Sequence, residues 1–114
     1  MRTPLDYADN SGYNLARMRY EIVLSPEAVE DLRGLRAHLR GEVRDAMEEH
    51  LRYNPARASK SRIKRLRGLT RPQYRLRVGD VRVFYDVAGG EVQVLAIVTK
   101  AEAEKWLERV GERT

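Results

Sequence analysis

Three arginines at fixed spacing are the residues of this sequence whose chemistry is easiest to read. They lie in the stretch Tyr74-Arg75-Leu76-Arg77-Val78-Gly79-Asp80-Val81-Arg82-Val83-Phe84-Tyr85-Asp86-Val87. Two runs rich in β-branched and aromatic residues flank Gly79-Asp80, the signature of a two-residue hairpin with glycine at the first central position. That turn sets Val78 opposite Val81, Arg77 opposite Arg82, Leu76 opposite Val83, Arg75 opposite Phe84 and Tyr74 opposite Tyr85. Side chains alternate across a strand, so Tyr74, Leu76, Val78, Val81, Val83 and Tyr85 share an apolar face. Arg75, Arg77, Arg82 and Phe84 share the other, with Asp86 placed to orient Arg82 or Arg77 or to stand as a plain surface carboxylate. Like charges directly opposed cost a few tenths of a kcal/mol up to ~1 kcal/mol, which a solvated face tolerates. Guanidinium forks, however, match phosphate oxygens two at a time. Three of them together suit gripping a phosphate group. They do not suit proton transfer, because arginine holds its proton far too tightly (pKa above ~12).

The surroundings extend this field. Between His50 and Gly79 the sequence has no Asp or Glu, but it has Arg52, Arg57, Lys60, Arg62, Lys64, Arg65, Arg67, Arg71, Arg75 and Arg77. Of the 22 Lys and Arg residues ten lie in this belt, so the remaining 12 face 17 carboxylates, a net of −5. An acidic body with one basic belt attracts a polyanion or an acidic protein segment, and nucleic acid is the default partner because each neutralised phosphate releases a counterion. Contacts of this kind are assigned to Lys60, Arg62, Lys64, Arg65, Arg67 and Arg71. Trp106 adds a ring that either stacks on a base, worth ~1–3 kcal/mol, or anchors a small core.

The elements that must position these residues follow from periodicity. Tyr20 to Leu24 reads as a first strand. Ser25-Pro26-Glu27 opens a helix, with serine at the N-cap, proline at the first helical position and an acid near the positive end of the dipole. Ala28, Leu32, Leu35 and Leu39 form its apolar stripe and Gly41 is the expected break. A second helix carries Val43, Met47 and Leu51 and ends before Asn54-Pro55. Residues 56–71 read as a basic, turn-rich loop tucked down by Ile63, Leu66 and Leu69. After the hairpin, Gly89-Gly90 makes a second turn, Val92 to Val98 a buried strand, and Ala101 to Val110 a last helix with Ala103, Trp106, Leu107 and Val110 at helical spacing. The order β-α-α-β-β-β(-α) specifies an α+β fold, an antiparallel sheet packed on a helical hairpin.

Composition bounds the rest. The 114 residues suffice for one modest core. There is no cysteine, which excludes disulfides and thiolate metal sites and fits a cytoplasmic setting. His38 and His50 have no companion ligand pattern, so neither a metal nor another cofactor is expected. Nothing approaches the ~20 apolar residues of a membrane span. Residues 1–19 are aperiodic and read as a flexible arm, with Met18 a candidate true start; residues 20–114 are the expected domain.

The chain resembles the RelE/ParE superfamily of type II toxins over about residues 20–100. The features that carry the resemblance are Ser25-Pro26-Glu27-Ala28 after a first strand, a helical hairpin closing on Leu51 and Asn54-Pro55, and the link Lys64-Arg65-Leu66-Arg67-Gly68-Leu69. They continue with Tyr74-Arg75-Leu76-Arg77-Val78-Gly79-Asp80-Val81-Arg82-Val83-Phe84-Tyr85 and the valine-rich strand after it. The resemblance implies a cytoplasmic bacterial toxin held by a cognate antitoxin protein that covers its basic face. RelE-like members cut mRNA in the ribosome without metal, by attack of the 2′-hydroxyl, and carry basic catalytic residues at the positions of Arg75, Arg77 and Arg82. ParE-like members poison DNA gyrase and are not nucleases. RelE-like enzymes also draw an Arg with a Tyr or His from the C-terminal segment, but here Thr99-Lys100-Ala101-Glu102-Ala103-Glu104-Lys105-Trp106 has neither Tyr nor His. Lys100 therefore completes the catalytic set implied for this chain, with Lys105 near it and Lys64 able to swing in from the loop. The sequence leans towards a ribosome-dependent mRNA endonuclease, with the gyrase inhibitor as its alternative.

Overall fold

The arginine hairpin forms as its sequence dictates. In the computed structural model, which describes residues 18–114, strands β4 (Tyr74–Val78) and β5 (Val81–Ala88) pair antiparallel with all five expected cross-strand partners. Gly79 has φ 57°, a left-handed conformation that a residue without Cβ adopts freely. Most of the arm read from the sequence lies outside the described residues.

Strand β6 (Glu91–Thr99) follows antiparallel to β5. Strand β1 (Glu21–Leu24) then adds to the far side of β6 in parallel. The meander β4–β5–β6 is thus antiparallel as expected, and β1 is the exception to the expected antiparallel sheet, because the helical hairpin carries the chain across the sheet before it returns. A further strand appears inside the expected loop: β2 (Ile63–Arg65) pairs antiparallel with β4, placing Ile63 opposite Leu76 and Lys64 opposite Arg75. The sheet order is β1-β6-β5-β4-β2. Three residues are too few to show an alternation, so only the burial of Ile63 marks this strand.

Helix α1 (Pro26–Arg33) starts at Ser25, whose Oγ accepts from Ala28 N at 3.0 Å. It ends at Gly34, and α2 (Ala37–Leu51) runs unbroken through Gly41. The expected break is therefore seven residues too late. Both glycines interrupt the stripe, but the extended backbone at Arg36 (φ −60°, ψ 151°) turns the chain after Gly34, while Gly41 sits within a fifteen-residue helix whose other residues outweigh the ~1 kcal/mol a central glycine costs. Val43, Met47 and Leu51 are buried against Leu76, Val83, Tyr85, Val92 and Val94. Tyr85 donates its hydroxyl to Pro55 O at 2.6 Å and stacks on Tyr74. Burial pushes its phenol well above the usual tyrosine range.

The opposite face of the sheet is not left to water. Helix α3 (Lys100–Val110) lies on it, and Trp106 stacks on Phe84 with centroids 5.0 Å apart, over Ala96 and beside Leu66, Leu95, Val98 and Leu107. Beyond α3, β7 (Glu112–Arg113) pairs with β3 (Leu69–Arg71) in a second, two-stranded sheet. Thr114 N donates to Gly68 O at 3.2 Å, fastening the end of α3 to the basic segment. Among the described residues no helix is long and apolar enough to cross a membrane.

Candidate nucleic-acid interface

The α3 side of the sheet carries the arginines in two cross-strand rows. One row runs Lys64, Arg75, Phe84, Ala96 through β2, β4, β5 and β6; the next runs Arg77, Arg82, Val98. Strand β2 thus brings Lys64 onto the arginine face in a fixed register, rather than by the swing of a loop. Arg62 backs the second row: it donates to Arg77 O at 3.4 Å and accepts from Arg77 N at 2.9 Å. Lys100 opens α3 beside the hairpin, its N–H donating to Asp80 O at 2.8 Å.

The three arginines differ in their surroundings. Arg77 is exposed. Arg82 is only 8% exposed, and its Nη1 donates to Gly79 O at 2.9 Å and Val81 O at 3.1 Å. Arg75 is half-buried, and its Nε lies out of reach of solvent with no acceptor among the described residues. Burial, and then the charges of Arg82 and Arg77, lower the proton affinity of Arg75. Among the described residues no ion pair forms to Lys64, Arg75, Arg77, Arg82 or Lys100. A buried donor without a partner costs about 1–3 kcal/mol, more when charged, and uncompensated like charges add to it. An anion seated here relieves both.

Other assigned residues are placed elsewhere. Arg65 faces the helical-hairpin side, over the ring of Tyr74 at 5.1 Å. Lys60, Arg62 and Arg67 are exposed. Arg71 pairs with Asp86, Nε to Oδ2 at 3.0 Å. Asp86 also accepts from Gln73 N at 2.7 Å, so it fixes the corner before β4 and orients neither Arg82 nor Arg77. Trp106 does not present a ring to a base: it is 3% exposed, faces Phe84 and donates Nε1 to Glu27 Oε2 at 3.0 Å. The sequence reading missed that Glu27 link, since 79 residues separate the partners and no local pattern joins them. Among the described residues no cluster of three or more His, Asp or Glu side chains could hold a metal ion.

A family model described as the ParE toxin of type II toxin–antitoxin systems, parDE, matches residues 22–104, most of the chain and all of the arginine face. The chain belongs to this family. It is a RelE/ParE superfamily toxin, as its hairpin string implied. Among solved structures, the toxin resembles a RelB–RelE antitoxin–toxin complex from Methanococcus jannaschii with a TM-score of 0.57 at 21% identity, covering 74% of this chain and 96% of that one. It resembles an archaeal RelE–RelB complex from Pyrococcus horikoshii OT3 with a TM-score of 0.55 at 27% identity, covering 73% and 97%. No curated protein sequence matches the toxin. The sheet with its helical hairpin is therefore the fold of RelE-like toxins.

Proposed function

We propose that this toxin acts on RNA in the translating ribosome, as a RelE-like mRNA endonuclease of residues 20–114 that works in the cytoplasm without metal. The observation that carries the reading is Arg75: a half-buried guanidinium flanked by Arg77 and Arg82, whose Nε has no partner, and which faces no carboxylate, among the described residues. Such a site is at its most favourable with a phosphodiester in it. Arg75 and Arg77 grip the non-bridging oxygens and hold the charge of the phosphorane, the electrostatic contribution that is often the largest in catalysis. The 2′-oxygen attacks the neighbouring phosphorus, the bond to the 5′-oxygen breaks, and a 2′,3′-cyclic phosphate and a 5′-hydroxyl result. One proton leaves the 2′-hydroxyl and one reaches the 5′-oxygen. Lys64, directly across from Arg75, and Lys100, at the start of α3 beside the hairpin turn, are the lysines assigned to exchange them.

A cognate antitoxin is the proposed protein partner, since the similar RelE structures are complexes with RelB and an acidic segment suits the same cations. The second reading, a ParE-like inhibitor of DNA gyrase, is favoured by two observations: the matching family model is that of ParE toxins, and no Tyr or His follows the last strand of the main sheet.

Primer extension on cellular mRNA after brief induction, beside a plasmid-supercoiling gel from the same culture, tests the choice. Cuts within translated codons with normal supercoiling are expected, and Arg75→Gln should lower cutting by ~10²–10³. Intact messages with trapped, cleaved plasmid would establish the gyrase reading instead.

A further inference from the structure

The cationic face holds three arginines, and their hydrogen bonding divides them. Arg75 and Arg77 make no side-chain bond to any described residue, whereas Arg82 is buried and turned back on its own hairpin, one nitrogen bonding two carbonyls. Those carbonyls, Gly79 O and Val81 O, bracket Asp80, whose own carbonyl receives the Lys100 N–H at 2.8 Å. The register places Val81 opposite Thr99, so the turn and the first turn of α3 are neighbours. Lys100, one of the two candidate proton carriers, is thereby hung from the peptide that lies between the two that Arg82 holds.

We infer that Arg82 is a positioning residue: it braces the Gly79-Asp80 turn, and through Asp80 O it fixes the start of α3 and Lys100, rather than gripping an anion itself. A guanidinium held by two carbonyls has its hydrogen-bonding direction set before any ligand arrives. Reaching for a phosphate would leave both carbonyls without that donor. Arg75 and Arg77 surrender nothing when an anion binds. The inference adds to the RNA reading and rests on it only for the second of its two readouts.

The test compares the full chain with Arg82→Lys, Arg82→Gln and Arg75→Gln. Arg82→Lys keeps the charge, but its ammonium ends one bond short of the Nη1 position, so it also guards against a glutamine variant that fails to fold. The first readout is amide hydrogen exchange at Lys100, with α2 amides as internal reference. The second is the salt dependence of binding to an unstructured single-stranded RNA oligonucleotide. In both Arg82 variants the Lys100 amide should exchange at least ~10-fold faster while α2 stays protected, as expected when one opening is made easier locally. Their affinity should fall alike, with the slope of log K against log salt unchanged. Arg75→Gln should lower that slope by about 0.7–1, the signature of one lost phosphate contact, and leave Lys100 exchange as it was. Wild-type exchange at Lys100 in Arg82→Lys, together with a reduced slope in Arg82→Gln, would make Arg82 an anion contact and overturn the inference. If the wild-type chain binds no RNA, the RNA reading fails, and the exchange readout still decides Arg82 by itself: unchanged exchange overturns it.

Discussion

At the scale of single residues, the α1 side of the molecule depends on polar groups that complete the edge of β6 where β1 runs out. Strand β1 ends at Leu24 opposite Val94. Past that point Ser25 Oγ donates to Leu95 O at 3.0 Å, and Asp31 Oδ2 accepts from Ile97 N at 2.9 Å. The Asp31 carboxyl is pushed above its usual value by burial, partly offset by the Ile97 bond and reinforced by Glu27. A raised carboxyl value means that folding favours the protonated form. Its contribution to stability is present below the unfolded-state value near 3.8 and is lost as pH rises through the folded one. Asp31→Asn keeps an acceptor for Ile97 without the charge. It should therefore be more stable than the wild type at pH 7, with the difference vanishing below about pH 3.8. Thermal unfolding of both proteins across that range checks it, and an advantage that persists at low pH would show that charge is not the cause.

At the scale of elements, two glycines in α2 and after α3 give opposite expectations. A Cβ at Gly41 meets nothing within 4 Å, whereas one at Gly111 comes to 2.6 Å of Leu107 O and 3.3 Å of Leu69 Cδ2. Gly41→Ala should raise stability by ~0.5–1 kcal/mol through helix propensity. Gly111→Ala should lower it by about 1–3 kcal/mol as β7 is forced off β3. Urea midpoints of the two variants measure both. The same elements show what the sequence disclosed. The hairpin register was fully legible, because a glycine turn and strict alternation fix every partner. Helix α1's start was legible from Ser25-Pro26-Glu27. The break at Gly34 was not, since Gly34 and Gly41 both interrupt the stripe, and neither were the short strands β2, β3 and β7 or the parallel seating of β1, each decided by long-range pairing. The candidate site was half legible: alternation gathered Arg75, Arg77 and Arg82, but the unpartnered Nε of Arg75, the inward turn of Arg82 and the arrival of Lys64 depend on how α3 and β2 pack.

At the scale of the whole molecule, charge and shape are segregated. Carboxylates of the body are engaged by groups other than the three arginines: Glu48 lies against Arg52, whose bond holds that carboxyl below its usual range, and Asp86 against Arg71. Glu27 is held by Trp106. The outer edge of β2 is closed by Ser59, which receives Arg62 N and Ile63 N on its hydroxyl and gives its own N–H to Ile63 O. A strand edge closed in this way, and lined by cations, resists pairing with other chains. The basic face is thus left open to polyanions while its margin is shut to stray strands.

The parallel partnership of β1 with β6 also orders events in time. The hairpin β4–β5 closes over two residues, and β6 adds to it across Gly89-Gly90. Strand β1 must wait for a partner seventy positions away, Glu21 with Glu91, and closing so long a loop precedes any reward from the contact. The three-stranded meander should therefore form the folding nucleus, with β1 and the helical hairpin joining after the barrier. In kinetic terms, Val83→Ala should slow folding, whereas Ile22→Val should chiefly speed unfolding. Stopped-flow chevrons of the two variants would reveal the reverse order if β1 zips first.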